Sequence, residues 1–220
     1  MTASTSEALM RHLAAPAVIG VAVLLAAGWQ DRLTLGAVVF VISFWGMNII
    51  RALATRTALP EVNTRTDETR QKLLVSGVTF GMWLLPALAV ATPLFDFAAY
   101  PLPLPLTLLG AVLAALGLWL FWRSHADLGQ MWSPVLELRE GHGLVTDGIY
   151  RHMRHPMYSA IFLQAIAQPM LIGNWLAGPS GFIMFFILYA ARVDKEEAMM
   201  ADQFGDSWRD YAAHTKRLWP

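Results

Sequence analysis

Six apolar blocks, divided by short polar turns or longer polar loops, organise the chain. They run from Leu13 to Trp29, Leu33 to Ile50, Leu73 to Leu94, Leu106 to Trp122, Pro156 to Ile172 and Trp175 to Ala191. A helix needs about 20 apolar residues, with about 17–25 the usual range, to cross a bilayer. The pattern therefore predicts an all-α, polytopic transmembrane helical bundle of about six (five to six) membrane helices. Residues 1–12 are polar and small and are expected to be mobile. Gln30-Asp31-Arg32 reads as the turn of an N-terminal hairpin. The first block also has features of a signal-peptide core, with Arg11 before it and Ala26-Ala27-Gly28 at its end. Glu7 in the n-region and the immediate second block favour retention instead.

The remaining breaks fit the same reading. Arg51 to Lys72 is a polar loop with five basic and three acidic residues. Pro86 and Pro93 fall inside the third block, where neighbouring helices can re-satisfy the freed backbone. Gly77 and Gly81 form a GxxxG pair, read as internal packing rather than a dimer seam. Pro101 to Pro105 is extended chain. Pro169 and Pro179 are expected to kink or shorten the last two blocks, and Phe204-Gly205 to stop a helix. Three segments result: an N-terminal hairpin (1–51), central helices with a loop (52–122) and a C-terminal region (123–220).

Composition sharpens this. Hydrophobic residues make up 56% and charged residues 15%, against about 45–50% and about 25% in soluble domains. Net charge is zero, so nothing points to a nucleic-acid partner. No cysteine is present, which excludes disulfides and thiolate chemistry. If all six blocks span, every Lys and Arg except Arg32 falls on one side, together with both termini. The positive-inside rule makes that side cytoplasmic.

Candidate chemistry lies on that side, after residue 122. Gly141 to Tyr150 contains glycines that permit close backbone approach, although spacing alone favours a pair of turns. Arg154-His155-Pro156-Met157-Tyr158 stands at a helix mouth, with Pro156 suited to the first turn. Unpaired N–H groups there favour an anion, against the alternative of snorkelling anchors. Arg192 and Glu196 are spaced for an i,i+4 pair. Glu196 and Glu197 diverge by about 100° on a helix, so one is expected to face a pocket and the other to pair outward. His152 and His155 lack a zinc-type pattern, and no metal site is expected.

Arg154-His155-Pro156-Met157-Tyr158 followed by Glu196-Glu197, with Leu144 to Tyr150 before and Phe204-Gly205, Trp208, Tyr211, Thr215, Arg217 and Pro220 after, resembles the isoprenylcysteine carboxyl methyltransferases and their phospholipid methyltransferase relatives. The resemblance covers about residues 123–220; Ala160 stands where the family often has glycine. It implies a membrane methyltransferase with a cytoplasmic C-terminal catalytic region, using S-adenosyl-L-methionine and releasing S-adenosyl-L-homocysteine. The acceptor would be lipid-like or small and hydrophobic, entering from the bilayer. By resemblance, Arg154 and Glu197 are catalytic. Gly143, Leu144, Val145, Tyr150, His155, Pro156, Tyr158, Glu196 and Glu197 bind cofactor, and Trp132 and Arg154 bind substrate. Arg151 and His152 read as anchors. The rivals are an NADPH-dependent membrane sterol-type reductase, which shares an Arg-His-Pro-x-Tyr element, and a non-catalytic protein of the same fold.

Overall fold

The computed structural model describes residues 3–57, 68–131 and 143–219, and among them every regular element is helical. Eight α-helices form in order: α1 Ala3–Trp29, α2 Leu35–Thr57, α3 Glu68–Thr79, α4 Leu85–Ala91, α5 Leu104–Leu128, α6 Pro156–Ile172, α7 Ala177–Phe204 and α8 Asp206–His214. Each apolar block of the sequence becomes helix, with shifted ends. The N-terminal residues expected to be mobile begin α1 at Ala3. The last block does not stop at Ala191 but runs on to Phe204, because residues 192–204 contain no Gly or Pro to break it. Gly205, at φ 54°, ends it as expected.

Among the described residues, three stretches are long and apolar enough to cross a membrane: Leu35–Thr55, Thr69–Ala91 and Leu104–Leu128. Ala14–Trp29 and Pro156–Ile172 are shorter apolar helices. At 1.5 Å per residue, the 17 residues of α6 reach about 25 Å, somewhat less than the ~30 Å of a hydrocarbon core. Large apolar side chains such as Leu25, Phe80, Leu104 and Ile183 are exposed, as a lipid-facing surface requires.

The third span shows how sequence dictates packing. α3 and α4 are joined by a π-turn, Phe80–Leu84. Leu85 N–H donates to Phe80 O, and the next residue, Pro86, has no N–H to offer Gly81 O. That orphaned carbonyl is met from other helices: Ser180 Oγ donates at 2.6 Å and Gln168 Nε2 at 3.1 Å. A Cβ at Gly81 would lie 2.6 Å from Ser180 O. Gly81 thus allows α7 to approach, so the GxxxG pair serves internal packing.

α5 and α6 lie side by side. Gly117 lets α5 approach the Ala160 carbonyl, and Gln164 Nε2 donates to Ala114 O at 2.7 Å. At one end of the bundle the turns 30–34, 92–103 and 173–176 are laced together. Arg32 pairs with Asp96 at 2.6 Å, and Asn174 Nδ2 donates to Phe95 O. Asn174 Oδ1 accepts from Leu176 N–H and Ala177 N–H, capping α7. The other end carries the polar C-terminal region.

Candidate active site

Pro156 begins α6 and is fully buried, which points Arg154 and His155 away from the helix into the polar end. The C-terminal tail then returns beside them. Arg154 N–H donates to Lys216 O and His155 N–H to Arg217 O, both at 2.8 Å, with a parallel bridge between Met153 and Lys216. Those two N–H groups, expected from sequence to favour an anion, are therefore already occupied by tail carbonyls.

The side chains converge on two carboxylates. Glu197 Oε1 accepts from Arg154 Nε at 3.0 Å and Nη2 at 2.9 Å, and lies 3.1 Å from His155 Nε2. Its Oε2 accepts from Arg217 Nε at 3.0 Å and Nη2 at 2.8 Å. Burial raises the Glu197 carboxyl pKa, but the bonds from His155, Arg154 and Arg217 outweigh it and hold the group at about 2. Glu196 Oε1 accepts from the Tyr158 hydroxyl at 2.5 Å and from Arg192 Nη2 at 3.0 Å. The expectation that one glutamate would face a pocket and the other outward is corrected: both turn into the cluster. Although they diverge on α7, Arg154, His155 and Arg217 meet one while Tyr158 and Arg192 meet the other.

Arg154 is the hub. Besides Glu197, its Nη1 donates to the carbonyls of Ala212 and Thr215. Its guanidinium lies 6.0 Å from the Trp208 ring centroid, within cation–π range. The His155 and Tyr158 rings stack at 5.5 Å. Only a tenth of the Arg154 side chain is exposed, so these bonds are shielded from competing water.

Other predicted residues sit around this cluster. Leu144 and Val145 are half-buried and Gly143 exposed. Tyr150 is buried; its hydroxyl donates to Ser124 O, and its own carbonyl accepts from Tyr211. It thus ties the segment to α5 and α8 and is not gathered with the charged groups. Burial pushes the Tyr211 phenol up to about 12, with Arg154 pulling the other way, so it stays protonated and donates. Arg151 and His152 are exposed, as anchors would be. Trp132 lies outside the described residues.

Sequence reasoning placed Arg217 only in a flanking motif, yet it is a full partner of Glu197. Asp127 was not singled out. It accepts from Ile149 N–H at 2.7 Å and pairs with Arg123 at 2.8 Å, holding the turn before the signature against α5. Arg123 and Asp127 stand i,i+4, a spacing that could have signalled the pair. Among the described residues no group of acidic, histidine or cysteine side chains suits a metal. A small cavity lined by Ser43, Trp83, Gln164 and Gln168 opens deep in the bundle rather than at this cluster.

Comparison with known proteins picks out the same region. Residues 106–202 match the isoprenylcysteine carboxyl methyltransferase (ICMT) family. Protein-S-isoprenylcysteine O-methyltransferase of Schizosaccharomyces pombe is 34% identical over 98 residues, 44% of this chain and 42% of that protein. The protein of the same name from Dictyostelium discoideum is 33% identical over 87 residues, 38% of this chain and 34% of its own length. The alignments thus span less than half the length of these curated relatives. A solved structure of the eukaryotic intramembrane Ras methyltransferase ICMT superposes with a TM-score of 0.58 at 19% identity, covering 90% of this chain and 72% of that one. It shows a shared fold. Motifs, family profile and fold thus agree on one stretch: residues 106–202 match the isoprenylcysteine carboxyl methyltransferase family, and the chain is an integral membrane protein.

Proposed function

We propose that this chain is an S-adenosylmethionine-dependent membrane methyltransferase, acting on a lipid-like or small hydrophobic acceptor of the isoprenylcysteine-carboxylate type. The observation that carries the proposal is the convergence of Arg154, His155 and Tyr158 on Glu196 and Glu197 from separate parts of the chain. A structural ion pair needs one arginine per carboxylate. Here three cationic or hydrogen-bonding side chains are spent on Glu197 alone, beside a stacked aromatic pair.

The residues suit such a donor. A methylsulfonium is cationic and is favoured by carboxylates and aromatic faces, supplied by Glu196, Tyr158 and His155. Its amino-acid carboxylate calls for a guanidinium, available in Arg154 or Arg217. Leu144, Val145 and the backbone at Gly143 offer an apolar edge for the remainder. These charges now satisfy one another, so donor binding exchanges one set of ion pairs for another. When bound, the donor supplies an electrophilic methyl group for in-line displacement. The protein's part is then positioning and exclusion of water, and an ionised carboxylate acceptor needs no general base. The catalytic region is assigned to 123–220, on six membrane helices with both termini and the site on the cytoplasmic side.

The test is binding and labelling with the purified chain. S-adenosylhomocysteine should bind and NADPH should not, and label from the methyl of S-adenosylmethionine should enter a prenylcysteine-type acceptor. NADPH binding without S-adenosylhomocysteine binding would establish the reductase instead. Binding of neither, with Arg154→Ala and Glu197→Ala silent in cells, would leave a non-catalytic protein.

A further inference from the structure

One carboxylate seats the turn that precedes the signature on α5. Asp127 stands in the last turn of α5, and its Oδ2 accepts from Ile149 N–H at 2.7 Å, at the start of the 3₁₀ turn Gly148–Arg151. Gly148 is shaped to that carboxylate. A Cβ added there would overlap Asp127 Oδ2, and the residue stands at φ 60°, which glycine adopts at no steric cost. Tyr150 makes a second bond to α5, from its hydroxyl to Ser124 O, and Tyr211 on α8 donates to its carbonyl. Ile149 itself packs with Phe121 and Met153.

The bland alternative is a surface ion pair. Arg123 and Asp127 are spaced i,i+4 and lie 2.8 Å apart, and such pairs contribute little. A surface pair leaves both heads in water, however. Here 41% of the Arg123 side chain is exposed but only 12% of Asp127, and the inner oxygen is spent on a backbone N–H. Downstream, the signature has its own fastenings in buried Pro156 and in the tail carbonyls that meet Arg154 and His155. The segment upstream does not share them. Its first hydrogen bond among the described residues is at Asp147, whose carbonyl accepts from Tyr150 N–H inside the same turn. Only Thr146 and Asp147 separate Val145 from Gly148, so the place of the 143–145 edge follows from where the turn is seated.

We propose that Asp127 is a positioning residue for donor binding, an inference that rests on the methyltransferase reading above. By holding the Gly148–Ile149 peptide against α5, it fixes where Leu144 and Val145 stand relative to the Arg154–Glu197 cluster. Without that seat the edge samples other positions, and only the seated fraction binds donor well. Apparent donor affinity falls in proportion to that fraction. Once the donor is bound, the cluster and the acceptor are as before, so the chemical step is spared. Asp127 touches neither reactant. It acts through the turn.

The experiment uses the full chain and Asp127→Ala in phosphatidylcholine vesicles, with S-adenosylhomocysteine as binding probe and an S-prenylated N-acetylcysteine as acceptor. The S-adenosylhomocysteine Kd and the S-adenosylmethionine KM should rise roughly tenfold, as they would if the seated edge fell to about a tenth of the population. The kcat and the acceptor KM should stay within about threefold of wild type by the same argument. Asp127→Asn keeps an oxygen for Ile149 N–H and should recover most of the affinity, whereas Arg123→Gln removes only the exposed ion pair and should bind like wild type. Gly148→Ala should weaken binding as Asp127→Ala does, and the double variant no more than the worse of the two, because both break one seat. Should Asp127→Ala not fold, Gly148→Ala carries the same comparison. A kcat that falls with the folded fraction while donor Kd holds overturns the assignment, as does a lack of recovery with Asp127→Asn. Weakening by Arg123→Gln as large as by Asp127→Ala overturns it too. A wild-type chain that binds S-adenosylhomocysteine no better than Asp127→Ala does overturns this inference alone. One that binds none overturns the methyltransferase reading with it.

Discussion

The two polar ends of the bundle solve the same problem in different ways. At the hairpin end, Arg32 spreads its donors over Asp96 and the carbonyls of Ala89 and Val90, while Gln30 meets Ala91 O. Asn174 both caps α7 and ties down Phe95 O. One ion pair and a set of side-chain-to-backbone bonds suffice to close the loops. At the other end, two adjacent carboxylates gather three arginines, a histidine and a tyrosine. Loop closure does not call for that density of charge, which is costly to shield from water. That excess is the ground on which this cluster is proposed as the site.

Glu197→Gln should break the contrast most sharply. It keeps the volume but removes the charge that Arg154 and Arg217 share, leaving Arg154 without a carboxylate and Arg217 with Asp194 alone. We expect donor binding and activity to fall at least ~100-fold, on the scale of a lost electrostatic contact at a reacting centre. Stability should drop by about 2–3 kcal/mol, the range for a hydrogen bond to a charged group. Unfolding in detergent and S-adenosylhomocysteine titration measure the two separately. An inert substitution would make the cluster a second loop fastener, no different in kind from the hairpin end.

Gly81→Ala tests the scaffold between the ends. The added methyl meets Ser180 O, backbone that cannot swing aside, so α7 must shift. Overpacking costs about 1–3 kcal/mol, and because α7 carries both glutamates, activity should fall with it. Heat denaturation that leaves activity per folded molecule unchanged would show that the site tolerates movement of α7.

Acid should distinguish the ends more gently. Glu197 has its folded pKa depressed from 4.5 to about 2. A depressed carboxylate contributes stability that is complete above the unfolded value and disappears as pH falls through the folded one. Stability should therefore decline between about pH 4.5 and about pH 2, and Glu197→Gln should lack that portion of the slope. Parallel pH profiles for the two proteins would refute the assignment.

How far the sequence foretold all this depended on the range of the interaction. Local signals carried well. Apolar length located the helices, Pro156 and Gly205 marked a start and a stop, and the i,i+4 spacing of Arg192 and Glu196 produced the pair observed at 3.0 Å. Pairings fixed by chain reversal did not show. Nothing in the order of residues reveals that Lys216 and Arg217 return beside Arg154 and His155, so the role of Arg217 stayed hidden in a flank. Nor does spacing show that Pro86, by withholding an N–H, hands the Gly81 carbonyl to Gln168 and Ser180. Tyr150, a motif tyrosine expected at the cofactor, also bonds Ser124 O through its hydroxyl and Tyr211 through its carbonyl, a strut between α5 and α8 that its place in the motif does not reveal.

The gentlest probe is Asp96→Asn. Asp96 is exposed and its carboxyl is held below its usual value by the hydrogen bond from Arg32. Solvent screens such a pair, and Arg32 keeps its carbonyl partners when the charge is gone. The melting temperature and the methyl-transfer rate should match wild type within error, and added salt should not separate them. Since the same chemical change at Glu197 is expected to abolish binding, the two isosteric substitutions form a matched pair: one carboxylate to amide in each network. Equal effects would mean that charge density is no guide to the site. Unequal effects in the stated order would tie function to the end where arginines exceed what the loops require.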